Sequence, residues 1–141
     1  MNRTNRQGLD EAKLSGTDWC NLLSISHRYE CKRARERSIK EINKLGPPVD
    51  NAGKIAMAKR FGVDQWLLPS CVALVERQDP LSYPEAEKLG LHMTVLLCEV
   101  REKNIQQKQT QMYSTGFGSY SPPNANKAKI TQLVKEALNI Q

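Results

Sequence analysis

The chain has 141 residues, a formal charge of +6 and a mean hydropathy of −0.59. That length suffices for one domain with a real core, but the composition is polar for a compact one, so solvated ends around a smaller core are expected. No apolar run approaches the roughly 18 residues that span a bilayer, and residues 1–16 lack the apolar stretch of a secretory signal, so neither a membrane segment nor an exported precursor is read here.

Residues 1–16 read as a disordered polar leader. The first helix is expected to start at Thr17 or Asp18, both good N-caps, with Trp19, Leu22, Leu23, Ser26 and Tyr29 as its apolar stripe. A second helix over 32–43 turns Cys31, Ala34, Ser38, Ile42 and Leu45 inward, with Ile39 beside them. Gly46 and the Pro47-Pro48 pair end it.

Asp50 caps a third helix carrying Ile55, Met57, Ala58 and Phe61, which closes at Gly62. Asp64 is read as the cap of a fourth, the most apolar segment, with Trp66, Leu67, Leu68, Cys71, Val72, Leu74 and Val75; Pro69 is tolerated in its first turn. Asp79-Pro80 ends that helix. Ser82 and Glu85 then have the spacing of a capping box, opening a short fifth helix that closes at Gly90.

A sixth helix begins near Leu91, with Met93, Leu96, Leu97 and Val100 as one packed face, and leaves the core as the sequence turns polar. Residues 113–126 read as a Gly/Ser/Pro linker, and 127–141 as a detached amphipathic helix. The fold class is therefore all-α: short antiparallel helix pairs in a domain over 17–112, plus linker and final helix. The expected core is Trp19, Leu22, Leu23, Ile55, Phe61, Trp66, Leu67, Leu68, Val72, Leu74, Leu81, Leu89, Leu96 and Val100. Trp66 is assigned to it as a wedge rather than as an exposed partner anchor.

Little in the chain suggests chemistry. Cys20, Cys31, Cys71 and Cys98 match no zinc spacing and sit beside apolar positions, so they read as buried free thiols in a reducing, intracellular setting, cytoplasmic or nuclear. His27 and Cys31, four apart, would share a helix face, but nothing beside them supplies an oriented base or an oxyanion site. His92 has no second histidine nearby, and Asn2-Arg3-Thr4 fits the glycosylation pattern without a signal peptide to give it meaning. No catalytic residue, metal or cofactor is assigned.

Arg33, Arg37, Lys40 and Lys44 fall on one face of the second helix. They read first as a solvated face laced by Glu36–Lys40 and Glu41–Lys44 pairs. The alternative is a phosphate-tracking patch for nucleic acid, although no groove-entering motif accompanies it.

The stretch KIAMAKRFGVDQWLLPSCVALVERQDPLSYPEAEKLGL, with HRYECKRARERSIKEI before it and VREK after it, resembles the helical region that follows the BTB (POZ) domain in fungal BTB-domain proteins. The positions that carry the resemblance are Lys54, Ile55, Ala58, Val63, Trp66, Leu67, Leu68, Pro69, Leu74, Arg77, Pro80, Leu81, Glu85, Ala86, Leu89, Gly90 and Leu91. Phe61 stands where the family often has Tyr, and Met57 where Leu is usual. The likeness covers about residues 18–103.

It implies a BACK-like helical scaffold with a protein partner of unspecified identity, and no enzyme activity. The BTB domain expected before Asp18 has no counterpart here, so the chain reads as a truncated product, a fragment or a diverged paralogue. Apolar surface near Trp19 and Leu23 is then expected to lie exposed. Neither the family's dimerisation nor its adaptor role in ubiquitin ligases carries onto residues of this chain.

Overall fold

A computed structural model describes residues 13–46, 49–115 and 123–140. Six α-helices and one 3-10 turn make up its regular structure, and among the described residues there is no strand. The all-α expectation holds. Instead of one domain over 17–112, the chain divides into two compact units, residues 1–48 and 49–141.

The first unit is a helical hairpin of α1 (Gly16–Arg28) and α2 (Lys32–Leu45). The cap of α1 is Ser15, not Thr17 or Asp18. Asp18 lies three residues on, and its carboxylate accepts from both the backbone N–H (2.9 Å) and the hydroxyl (2.6 Å) of Ser15. The Ser15 oxygen in turn accepts from the Asp18 N–H, so Asp18 completes a capping box rather than starting one.

Trp19, Leu23 and Ser26 of α1 are buried, as are Ser38, Ile39 and Ile42 of α2. Trp19 and Leu23 are therefore covered, as their place in the expected core requires, while Ile25 on the same helix is exposed. The two buried serines keep the contact face small and are satisfied locally. Ser26 donates to the Leu23 carbonyl at 3.0 Å and Ser38 to the Ala34 carbonyl at 2.7 Å. Tyr29 and Leu45, read as inward-facing, are exposed at the ends of their helices.

The second unit contains α3 (Asn51–Phe61), the 3-10 turn Asp64–Trp66, α4 (Leu67–Glu76), α5 (Tyr83–Thr115) and α6 (Pro123–Leu138). Asp50 caps α3, accepting from the Gly53 N–H at 2.8 Å, and Gly62 closes it in the left-handed conformation. Asp64 does not cap α4: it opens the 3-10 turn that carries Trp66 into the interior, and α4 starts three residues later.

Gly90 breaks α5 as expected, with φ 75° and ψ 162°, a conformation open essentially to glycine alone. The Thr94 hydroxyl reaches across the break, lying 2.9 Å from the Gly90 carbonyl and 3.4 Å from that of Ala86.

The turn between α4 and α5 is tied by charge. Arg77 makes a two-pronged pair with Glu85, at 2.7 and 2.6 Å, and also donates to the carbonyls of Asp79 and Pro80. Glu85 accepts in addition from the backbone N–H and hydroxyl of Ser82, the reverse half of the capping box. From farther along α5, Arg101 donates to the carbonyls of Leu74 and Gln78, closing the end of α4. Arg77, Pro80 and Glu85 are among the positions that carry the BTB-associated resemblance. In this chain they build a turn.

The core of this unit gathers Ala52 and Ile55 from α3, Cys71, Val72, Leu74 and Val75 from α4, Leu89, Met93, Leu97 and Val100 from α5, and Ile130 and Val134 from α6. The final helix is therefore not detached: it packs on α4 and α5 with Ile130 and Val134 fully buried. Residues expected in the linker belong to helices instead, 113–115 to α5 and 123–126 to α6. The rest of that linker, and leader residues 1–12, lie outside the described residues.

Candidate interaction surfaces

Of the expected core, Trp19, Leu23, Ile55, Phe61, Trp66, Val72, Leu74, Leu89 and Val100 are buried. Leu22, Leu67, Leu68, Leu81 and Leu96 are half-buried. The last four line the margin of the second unit's core, where a leucine keeps one side in water. Trp66 is an interior wedge, with the Lys54 ammonium 5.9 Å from its ring centre.

The thiols divide. Cys71 is buried, and burial pushes its pKa up to about 12, which holds it as an inert thiol. Cys20 is half-buried and shifted upward for the same reason. Cys31 and Cys98 are exposed, against expectation. Cys31 is the N-cap of α2, while His27 lies in the last turn of α1. The chain reverses between them, with Glu30 at φ 54°, so the two do not share a helix face. His92 is exposed. Among the described residues no three His, Cys, Asp or Glu side chains gather as a metal would require, and no helix is long and apolar enough to cross a membrane.

Two helix faces remain that could meet a partner. On α2, Arg33, Arg37, Lys40 and Lys44 are all exposed and follow the i, i+4, i+7, i+11 line opposite Ser38, Ile39 and Ile42. The Lys44 ammonium pairs with Glu41 at 2.9 Å, as the charge pattern suggests. The Arg37 guanidinium lies 5.9 Å from the Trp19 ring centre, which anchors this cationic line to the hairpin's own core.

The second face went unread in the sequence. On the solvent side of α5, Leu91 is 82% exposed, Val95 47%, Ile105 51% and Met112 72%, and Cys98 is also exposed. With Glu102 and Gln109 these positions alternate steps of four and three residues. At 100° per residue, all seven stay within about 60° of one line along the helix. The ridge lies directly opposite Met93, Leu97, Val100 and Asn104, which are buried. Five of its seven positions are apolar, and from Leu91 to Met112 it runs about 32 Å at 1.5 Å per residue.

Compared with protein families, curated proteins and solved structures, the chain matches none.

Proposed function

We propose that this chain is a non-enzymatic scaffold that binds a protein partner through the outer ridge of α5. The observation that carries this reading is the ridge itself: Leu91, Val95, Cys98, Ile105 and Met112 line up in water, with Glu102 and Gln109 between them, on a helix whose other face is occupied. Scattered exposed leucines need no explanation, but an aligned set on a rigid rod is the anatomy of a helix-binding surface. The likeness to the region following fungal BTB domains supports the same reading, because it also implies a helical platform without chemistry.

The test is an NMR titration with a synthetic three-heptad peptide carrying leucine at its seam positions. Shifts concentrated at Leu91, Val95, Ile105 and Met112 are expected. Shifts spread over α1 and α2, or none at saturating peptide, count against the reading.

The cationic line of α2 supports a second reading, contact with nucleic-acid phosphates through Arg33, Arg37, Lys40 and Lys44. Such binding is electrostatic, so duplex DNA should bind at low salt and weaken steeply between about 50 and 200 mM. No binding at the low end removes it.

A further inference from the structure

The helices of the second unit are not all held in the same way. Polar bonds cross between α3, α4 and α5. The Lys88 ammonium of α5 pairs at 2.9 Å with Asp50, the cap of α3. Arg77, the C-cap of α4, grips Glu85 of α5, and Arg101 of α5 holds the carbonyls of Leu74 and Gln78. Among the described residues no hydrogen bond or ion pair joins α6 to another element. Its side-chain bonds are its own: Thr131 donates to the Lys127 carbonyl and Gln132 to Glu136. Lys127, Lys129 and Glu136 stand in water.

What seats α6 is one apolar edge. Ile130 and Val134 are fully buried, while Leu133, Ala137 and Leu138 are half-buried against the same core. Residues 124–129, at the start of the helix, contribute no buried side chain. The five apolar residues follow i, i+3, i+4, i+7 and i+8, the anchor pattern of a helix laid into a groove. The walls of that groove, α4 and α5, are fastened to each other through Arg77, Glu85 and Arg101 without any help from α6. Seven positions, 116–122, separate α6 from α5 along the chain.

Proteins open in parts, and the part with the least to break opens first. In this unit that part is α6. Apolar contact is also non-directional, so a helix presenting the same side chains at the same spacing fits the seat as well as α6 does.

We propose that α6 is a displaceable occupant of a helix-binding groove lined by α4 and α5. The partner admitted in its place is an amphipathic helix with aliphatic side chains at the positions of Ile130, Leu133, Val134, Ala137 and Leu138. The groove is a different surface from the α5 ridge, and neither depends on the other. The tether sets the threshold for entry: an attached helix acts at an effective concentration on the order of millimolar. A free helix enters when it binds more tightly than α6 or when α6 is weakened.

The probe is a fluorescent synthetic peptide of residues 123–141, with the full chain as receptor. Val134→Glu puts a charge into the seat of α6. It should leave α3, α4 and α5 folded, read from their slowly exchanging amides. It should also bind the peptide at least about tenfold more tightly than the wild type, whose own α6 competes. Amide shifts on binding should concentrate at 71–75 and 97–100. A peptide carrying Ile130→Glu should not bind. In the wild type alone, amides of 130–138 should exchange at least about a hundredfold faster than those of 71–75 and 97–100.

Equal exchange rates in those segments overturn the proposal, because α6 then opens only with the whole unit. So does a Val134→Glu chain in which α3, α4 and α5 unfold, or one that binds the peptide no better than the wild type. Shifts that gather at Leu91, Val95 and Ile105 instead place the peptide on the ridge and overturn it as well.

Discussion

Along α5, Met93, Leu97 and Val100 are at most 3% exposed, while Leu91, Val95, Ile105 and Met112, on the other side of the same rod, range from 47% to 82%. Both sets are apolar and both recur at helical spacing. What separates them is company: the inner set meets α3, α4 and α6, and the outer set meets water. On α2 the comparable outer line is Arg33, Arg37, Lys40 and Lys44, the residue types that a solvated helix face ordinarily carries. The difference teaches that apolar residues on a helix do not by themselves name a core face. A helix that is apolar on two sides keeps one of them open after the fold has covered the other.

The sharpest way to break this contrast is a pair of substitutions on the one helix. Leu97→Ala should lower unfolding stability by about 2–5 kcal/mol, because it opens a cavity at a fully buried site. Urea denaturation is the measurement.

The next effect concerns the turn that launches α5. The Arg77 guanidinium, followed by the bonds from Ser82, holds the Glu85 carboxyl at about 2, well below its ordinary 4.5. A carboxylate depressed in the folded state adds stability above its unfolded pKa and loses it as pH falls toward the folded one. That contribution should be complete above about pH 5 and fade toward pH 2. Glu85→Gln should cost about 1.5–3 kcal/mol at pH 7. It should also flatten the pH dependence of the melting temperature over that window.

The smallest effect completes the pair. Ile105→Ala, measured at low micromolar concentration, should change stability by no more than about 0.5 kcal/mol. A loss approaching that of Leu97→Ala would put Ile105 in a core and dissolve the distinction between the two faces.

Local punctuation was legible in the sequence wherever one residue decides the geometry. Asp50 caps α3, Gly62 closes it, Gly46 ends α2 and Gly90 breaks α5, each through a property visible in a short window. Ser15 was missed because Asp18 is itself a good cap, and only the paired bonds show which of the two leads. The docking of α6 was missed for a different reason. Ile130 and Val134 have an amphipathic spacing equally suited to a detached helix, and the core residues that cover them lie thirty or more positions upstream. Cys98 looked buried because Leu96, Leu97 and Val100 surround it in sequence, yet on the helix it is turned about 100° from Leu97 and lies on the far side from Val100. The ridge it belongs to becomes legible only once the inner face has been assigned and the residues left over are seen to line up.

The burial of Ile130 and Val134 has a consequence for biosynthesis. Until α6 has cleared the ribosome, the grooves of α4 and α5 that receive those two side chains stay open on the nascent chain. The second unit thus closes late in its synthesis, and a stalled or shortened product presents a sticky cleft to chaperones and proteases.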